Sequence, residues 1–159
     1  MIDKKGKLFK YLVSNSVKCI EYDVNQNYYT FIQEKKKDGY CQCIITSDIM
    51  IDIIQSFLLQ GDIEITSIKF MIDDDELNSE IKSILALMRE NFAYWEILKS
   101  KLSFLSQKDS IEIKKVSFRV LTGMGALFSV QVNGIIIATE NVYKDICHKI
   151  SCIVEECIR

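Results

Sequence analysis

From Leu77 to Leu105 apolar side chains recur at the spacing of a helix: Leu77, Ile81, Ile84, Leu85, Met88, Phe92, Trp95, Leu98, Leu102 and Leu105. A stripe this continuous must be covered along its length, so the rest of the chain has to supply an apolar surface for it. Asp73-Asp74-Asp75-Glu76 opens the pattern at the positive end of the helix dipole, and Lys99 and Lys101 lie nearer the negative end. Each placement contributes ~0.3–1 kcal/mol. The spacing predicts a long helix with a break near Asn91.

The flanking segments read as strands and shorter helices. Val17 to Val24, Tyr28 to Glu34 and Tyr40 to Thr46 are β-like, the last two flanking Lys35-Lys36-Lys37-Asp38-Gly39, whose Asp-Gly is a hairpin signal. Lys4 to Val13 predicts a short amphipathic helix with Leu8, Tyr11 and Leu12 on one side. A second helix begins at Ser47 or Asp48, carries Ile49, Met50, Ile53, Ile54, Phe57 and Leu58, and stops at Gly61. Ile63 to Ile72 is a strand whose apolar parity switches between Ile65 and Ile68, as a bulge would produce. Ile111 to Leu121, Ala126 to Val132 and Gly134 to Thr139 follow as strands, the last two joined by Asn133-Gly134. Asn141 to Ile158 closes the chain as a helix.

The expected fold is α+β: antiparallel strands with helices packed on one face, in one compact domain over 1–159. The order α-βββ-α, β, α-βββ-α makes 4–61 and 75–158 candidate halves of an internal duplication. Thr46-Ser-Asp-Ile-Met-Ile-Asp-Ile aligns with Thr139-Glu-Asn-Val-Tyr-Lys-Asp-Ile in support of it.

A composition 48% hydrophobic and 26% charged, without proline, is that of an ordered globular chain. The net charge of −2 provides no global field for phosphate or anionic lipid. The first residues lack a long apolar stretch and a small-residue cleavage site, so a cytoplasmic protein with no membrane association is expected. In that compartment the six cysteines are expected to be reduced. Cys41 and Cys43 fall on one face of a strand, and Cys147 and Cys157 lie in or beside an apolar helical stripe, so core packing explains them.

Other candidate clusters are explained as scaffold. Cys41-Gln-Cys43 lacks the second ligand pair of a zinc site. His148 follows Cys147, but helical neighbours point about 100° apart, and its face carries Lys144, Ser151 and Glu155. Asp73, Asp74, Asp75, Glu76 and Glu80 lack the central glycine of a calcium loop. Gly123-Met-Gly125 leads into a strand, where a phosphate loop would open a helix. No catalytic residue, metal ligand or cofactor site is assigned.

Phe128-Ser-Val-Gln-Val-Asn-Gly134, followed by Ile-Ile-Ile-Ala-Thr and a helix, resembles the second and third strands and last helix of a double-stranded-RNA-binding domain. The resemblance implies nucleic-acid binding through a lysine cluster at the start of the last helix. Here that place holds Asn141, Val142, Tyr143 and Lys144, and in the first candidate half Ser47, Asp48, Ile49 and Met50. A degenerate member of that fold, using Lys35, Lys36, Lys37, Lys114, Lys115 and Arg119 as a basic patch, is the alternative function.

The leading expectation is a non-catalytic protein-binding domain that caps or sequesters a protein partner, in the manner of immunity, chaperone or adaptor proteins. Tyr22, Tyr28, Tyr29, Phe31 and Tyr40 are its candidate partner surface, because tyrosine combines apolar contact with tolerance of water.

Overall fold

A computed structural model describes residues 2–158. The chain is α+β, and the strand pairings within its two compact units are antiparallel. One unit comprises 1–45 with 128–159, the other 46–127.

In the first unit β1 (Asp3–Tyr11) is central, pairing with β2 (Val17–Tyr22), with β7 (Ile135–Thr139) and, at its end, with β3 (Tyr40–Gln42). β6 (Leu127–Gln131) pairs with β7. The predicted helix over Lys4–Val13 is therefore a strand. Its helical look comes in part from Lys7, which faces protein instead of water. Lys7 is fully buried, and its ammonium donates to the carbonyl of Asn133 at the β6–β7 turn. That turn uses Gly134 at φ 80°, and a Cβ there would lie 2.7 Å from the carbonyl oxygen of Cys43.

The predicted strand over Tyr28–Glu34 is instead α1 (Tyr28–Lys37). Asn27 caps it by accepting from the Thr30 backbone N–H at 3.0 Å, and Lys35, Lys36 and Lys37 occupy its last turn, where cations suit the dipole. These local signals overrule the β-propensity of Tyr-Tyr-Thr-Phe-Ile. No hairpin spans Lys35–Gly39, which leads from α1 into β3. α5 (Glu140–Cys157) lies against β1 and β2. Phe9, alternating with Leu8 along β1, meets Phe31 of α1, so both faces of β1 are covered.

In the second unit α2 (Ser47–Leu58) is capped by Thr46, one residue before the expected cap, and Gly61, with φ 84°, turns the chain shortly after its C-cap Leu59. β4 (Ile63–Phe70) pairs with β5 (Ile113–Val120) with a register shift between Ile65 and Ser67, as the parity switch predicts. The shift lets Ile63, Ile65, Ile68 and Phe70 all bury. The long helical stripe is divided into α3 (Asp75–Glu90) and α4 (Tyr94–Lys108), with Asn91 ending the first. Asp74 caps α3 through the Leu77 N–H at 2.9 Å. α4 rests on α2, where Gln55 accepts from Trp95 Nε1 at 3.4 Å and from Lys99 Nζ at 2.8 Å.

The stretches 4–61 and 75–158 do not repeat one element order, because the first runs ββαβα. Thr46 and Thr139 nonetheless both sit immediately before a helix, as their aligned octapeptides require.

Candidate binding groove

The second unit holds an open apolar groove of about 440 Å³. Leu58 and Leu59 at the end of α2, Ile63 and Ile65 of β4, Leu85 and Met88 of α3, and Phe92 and Leu121 line it. The ends of elements account for its position. Gly61 turns the chain sharply after α2, leaving Leu59 outside the helix's buried stripe. Asn91 ends α3 in an extended conformation and accepts from the Ala93 N–H at 3.0 Å, which holds the turn that carries Phe92. Leu121, just past β5, donates its backbone N–H to the Asp62 carbonyl at 2.7 Å. The three residues at these ends are 68%, 49% and 56% exposed for Leu59, Phe92 and Leu121, so the apolar lining continues onto the surface.

Glu64 and Arg89 are the charged residues of its lining. Glu64 lies 3.5 Å from Arg89 Nε through one carboxylate oxygen and 3.4 Å from Arg119 Nη1 through the other. One anion is thus shared by two guanidinium groups, Arg89 of the lining and Arg119 beyond it. A second groove of about 670 Å³ lies between β4 and the N-terminal half of α3, lined by Lys69, Lys82 and Lys114 together with Asp73 and Asn78.

The residues expected to form the basic patch fall in both units. Arg119 is engaged by Glu64, Lys114 lines the second groove, and Lys115 sits opposite Lys69 across the β4–β5 ladder. Lys35, Lys36 and Lys37 end α1 in the other unit, with Lys35 Nζ 5.9 Å from the Phe31 ring centroid.

The aromatic group is mostly packing. Phe31 is buried against Phe9, Tyr22 stacks on Phe31 at 5.1 Å, and Tyr40 lies 6.1 Å from Phe9. Tyr28 and Tyr29 are exposed. Partial desolvation, of Tyr22 by burial and of the inner part of the Tyr28 ring, raises both pKa values.

Among the cysteines Cys43 and Cys147 are buried, whereas Cys41 and Cys157, expected inside, are exposed, as is Cys152. Cys41 alternates with Tyr40 on the short strand β3 and so does not share the side on which Tyr40 meets Phe9. His148 is exposed, as expected. Among the described residues no three His, Cys, Asp or Glu side chains gather as metal ligands, and no helix is long and apolar enough to cross a membrane.

The chain matches no protein-family model, no curated protein and no solved structure. The groove was not visible in the sequence, because Leu58, Ile63, Ile65 and Leu85 read as ordinary core. Leu59 and Phe92, apolar residues at helix ends, were its only signal.

Proposed function

We propose that this chain is a non-catalytic binding protein that seats an apolar segment of a protein partner, flanked by an acidic residue, in the groove of residues 46–127. The observation that carries the reading is the coincidence of the apolar lining with the doubly shared carboxylate of Glu64. An apolar side chain entering the groove is desolvated by eight apolar residues, while a neighbouring Asp or Glu meets Arg89 or Arg119 at the rim. Sites for small ligands bury roughly 70–90% of the ligand. A mouth bordered by exposed Leu59, Phe92 and Leu121 better suits a segment that extends beyond the cavity.

Panning a displayed random-peptide library against the full chain tests this. The expected peptides carry adjacent large apolar and acidic residues. Phe92→Ala and Arg89→Glu should each weaken the selected peptide at least tenfold, which is about 1.4 kcal/mol, with thermal stability retained. Peptides without that signature, or peptides that bind both variants as well as the parent, would overturn the proposal.

A further inference from the structure

Cys19 on β2 and Cys147 on α5 face each other with their sulfur atoms 3.2 Å apart, although 128 positions separate them in the chain. The hydroxyl of Tyr143, one helical turn before Cys147, lies 3.8 Å from the Cys19 sulfur. Room for the three groups comes from Gly6 on the neighbouring strand. A Cβ at Gly6 would collide with both the Tyr143 hydroxyl and the Cys19 sulfur. Glycine inside a strand costs roughly 0.5–1 kcal/mol relative to alanine, and the space it leaves is filled by this cluster.

We propose that Cys19 and Cys147 form a peroxide-responsive dithiol that closes into a disulfide between β2 and α5. The two sulfurs have different tasks, set by their surroundings. Cys19 is half-buried and therefore within reach of a molecule as small as hydrogen peroxide, whereas Cys147 is 6% exposed. The hydrogen bond between the two sulfurs holds the Cys19 thiol below its usual pKa, with Tyr143 acting in the same direction. Burial keeps Tyr143 protonated, so its hydroxyl can donate to a Cys19 thiolate. Cys147 itself is pushed up by its bond to Cys19 and by burial, and stays a thiol until Cys19 has reacted.

The chemistry balances with a hydroperoxide as the oxidant. The Cys19 thiolate attacks one peroxide oxygen, the O–O bond breaks, and the leaving hydroxide takes a proton to become water. Cys19 is now a sulfenic acid. The Cys147 sulfur attacks the Cys19 sulfur, the S–O bond breaks, and the Cys147 proton leaves with the hydroxide as a second water. Two thiols lose two electrons and two protons, and one peroxide becomes two waters. In a reducing compartment a labile disulfide of this kind reports oxidant and is reopened by thiol exchange. The absence of a third His, Cys, Asp or Glu ligand among the described residues favours this chemistry over soft-metal capture.

The full chain treated with stoichiometric hydrogen peroxide, alkylated and digested without reductant should yield one linked peptide pair containing Cys19 and Cys147, lighter by two hydrogens and split by dithiothreitol. Cys147→Ser should accumulate a dimedone-reactive sulfenic acid at Cys19, and Cys19→Ser should leave Cys147 unoxidised. A bridge between other cysteines overturns the proposal. So does oxidation of Cys41 or Cys152 in the wild-type chain while Cys19 and Cys147 remain thiols, a result that does not depend on the variants folding.

Discussion

The Ser47 hydroxyl donates to Glu112 and at the same time accepts the Ile113 backbone N–H at 3.0 Å, joining the start of α2 to the start of β5. Ser106 completes the site by donating to the other Glu112 oxygen at 2.8 Å. Ser47→Ala would leave a buried N–H and a carboxylate oxygen short of partners, at a cost of roughly 1–3 kcal/mol. Thr46→Ala removes only a cap whose hydrogen bond is long at 3.4 Å, and should cost about 0.5–1 kcal/mol. Urea denaturation should therefore rank Ser47→Ala below Thr46→Ala in stability. The reverse order would mean that the Ser47 network contributes little.

Gly6→Ala should destabilise the chain by about 1–3 kcal/mol through overpacking. It should also separate Cys19 from Tyr143 and Cys147. Without those hydrogen bonds the Cys19 thiol rises toward its ordinary value, so the thiolate absorbance of native protein at neutral to mildly alkaline pH should fall. A variant as stable as the parent with unchanged absorbance would contradict the crowding at Gly6.

Cys43 gives a pH-dependent prediction. Burial pushes its thiol up to about 11, against the weaker downward pull of Lys7 and Lys10. The folded state thus holds this proton more tightly than the unfolded state, whose thiol titrates near its ordinary value of 9.0. The resulting stability is fully present below pH 9 and is lost as pH rises through the folded value. Lys7 acts in the opposite sense, because burial lowers its pKa and its cost diminishes as pH rises toward 10.5. The urea midpoint of Cys43→Ala should fall less between pH 9 and 11 than that of the parent. An equal or steeper fall would show that Cys43 is not a source of the alkaline loss.

How much of this was legible depended on whether local pattern and burial agreed. α2, the α3–α4 stripe, the β4 bulge and the Asn133-Gly134 turn were readable because apolar period, caps and turn residues all gave one answer. β1 was not. Gly6, Lys7, Leu8 and Phe9 are consecutive buried residues, covered on both faces by α1 and α5, so no alternation survived, and lysines suggested solvent. α1 failed in the other direction: Asn27 and the three terminal lysines decided for helix against five residues of high strand propensity. The Cys19–Cys147 pair joins segments 128 positions apart, and neither residue carries a local signal. The groove is composed of element ends, whose positions sequence reading fixes least well.

The likeness of residues 128–139 and the following helix to a double-stranded-RNA-binding domain predicts affinity for duplex RNA, and the first turn of α5 argues against it. At the place of the family's lysine cluster Tyr143 is buried beside Cys19, leaving Lys144 as that turn's exposed cation. Lys114 and Lys115 lie on β5, where Lys114 lines the second groove and Lys115 faces Lys69 across the ladder. Binding to a duplex RNA should then show no more than nonspecific affinity, on the order of 10⁻⁴–10⁻⁶ M at physiological salt. Lys144→Glu should reduce the slope of log affinity against log salt by less than about one contact, roughly 0.9. Fluorescence anisotropy with a labelled duplex across a salt series measures both. Nanomolar binding at physiological salt, abolished by reversing Lys114 and Lys115, would instead make β5 a nucleic-acid face and restore the RNA-binding reading.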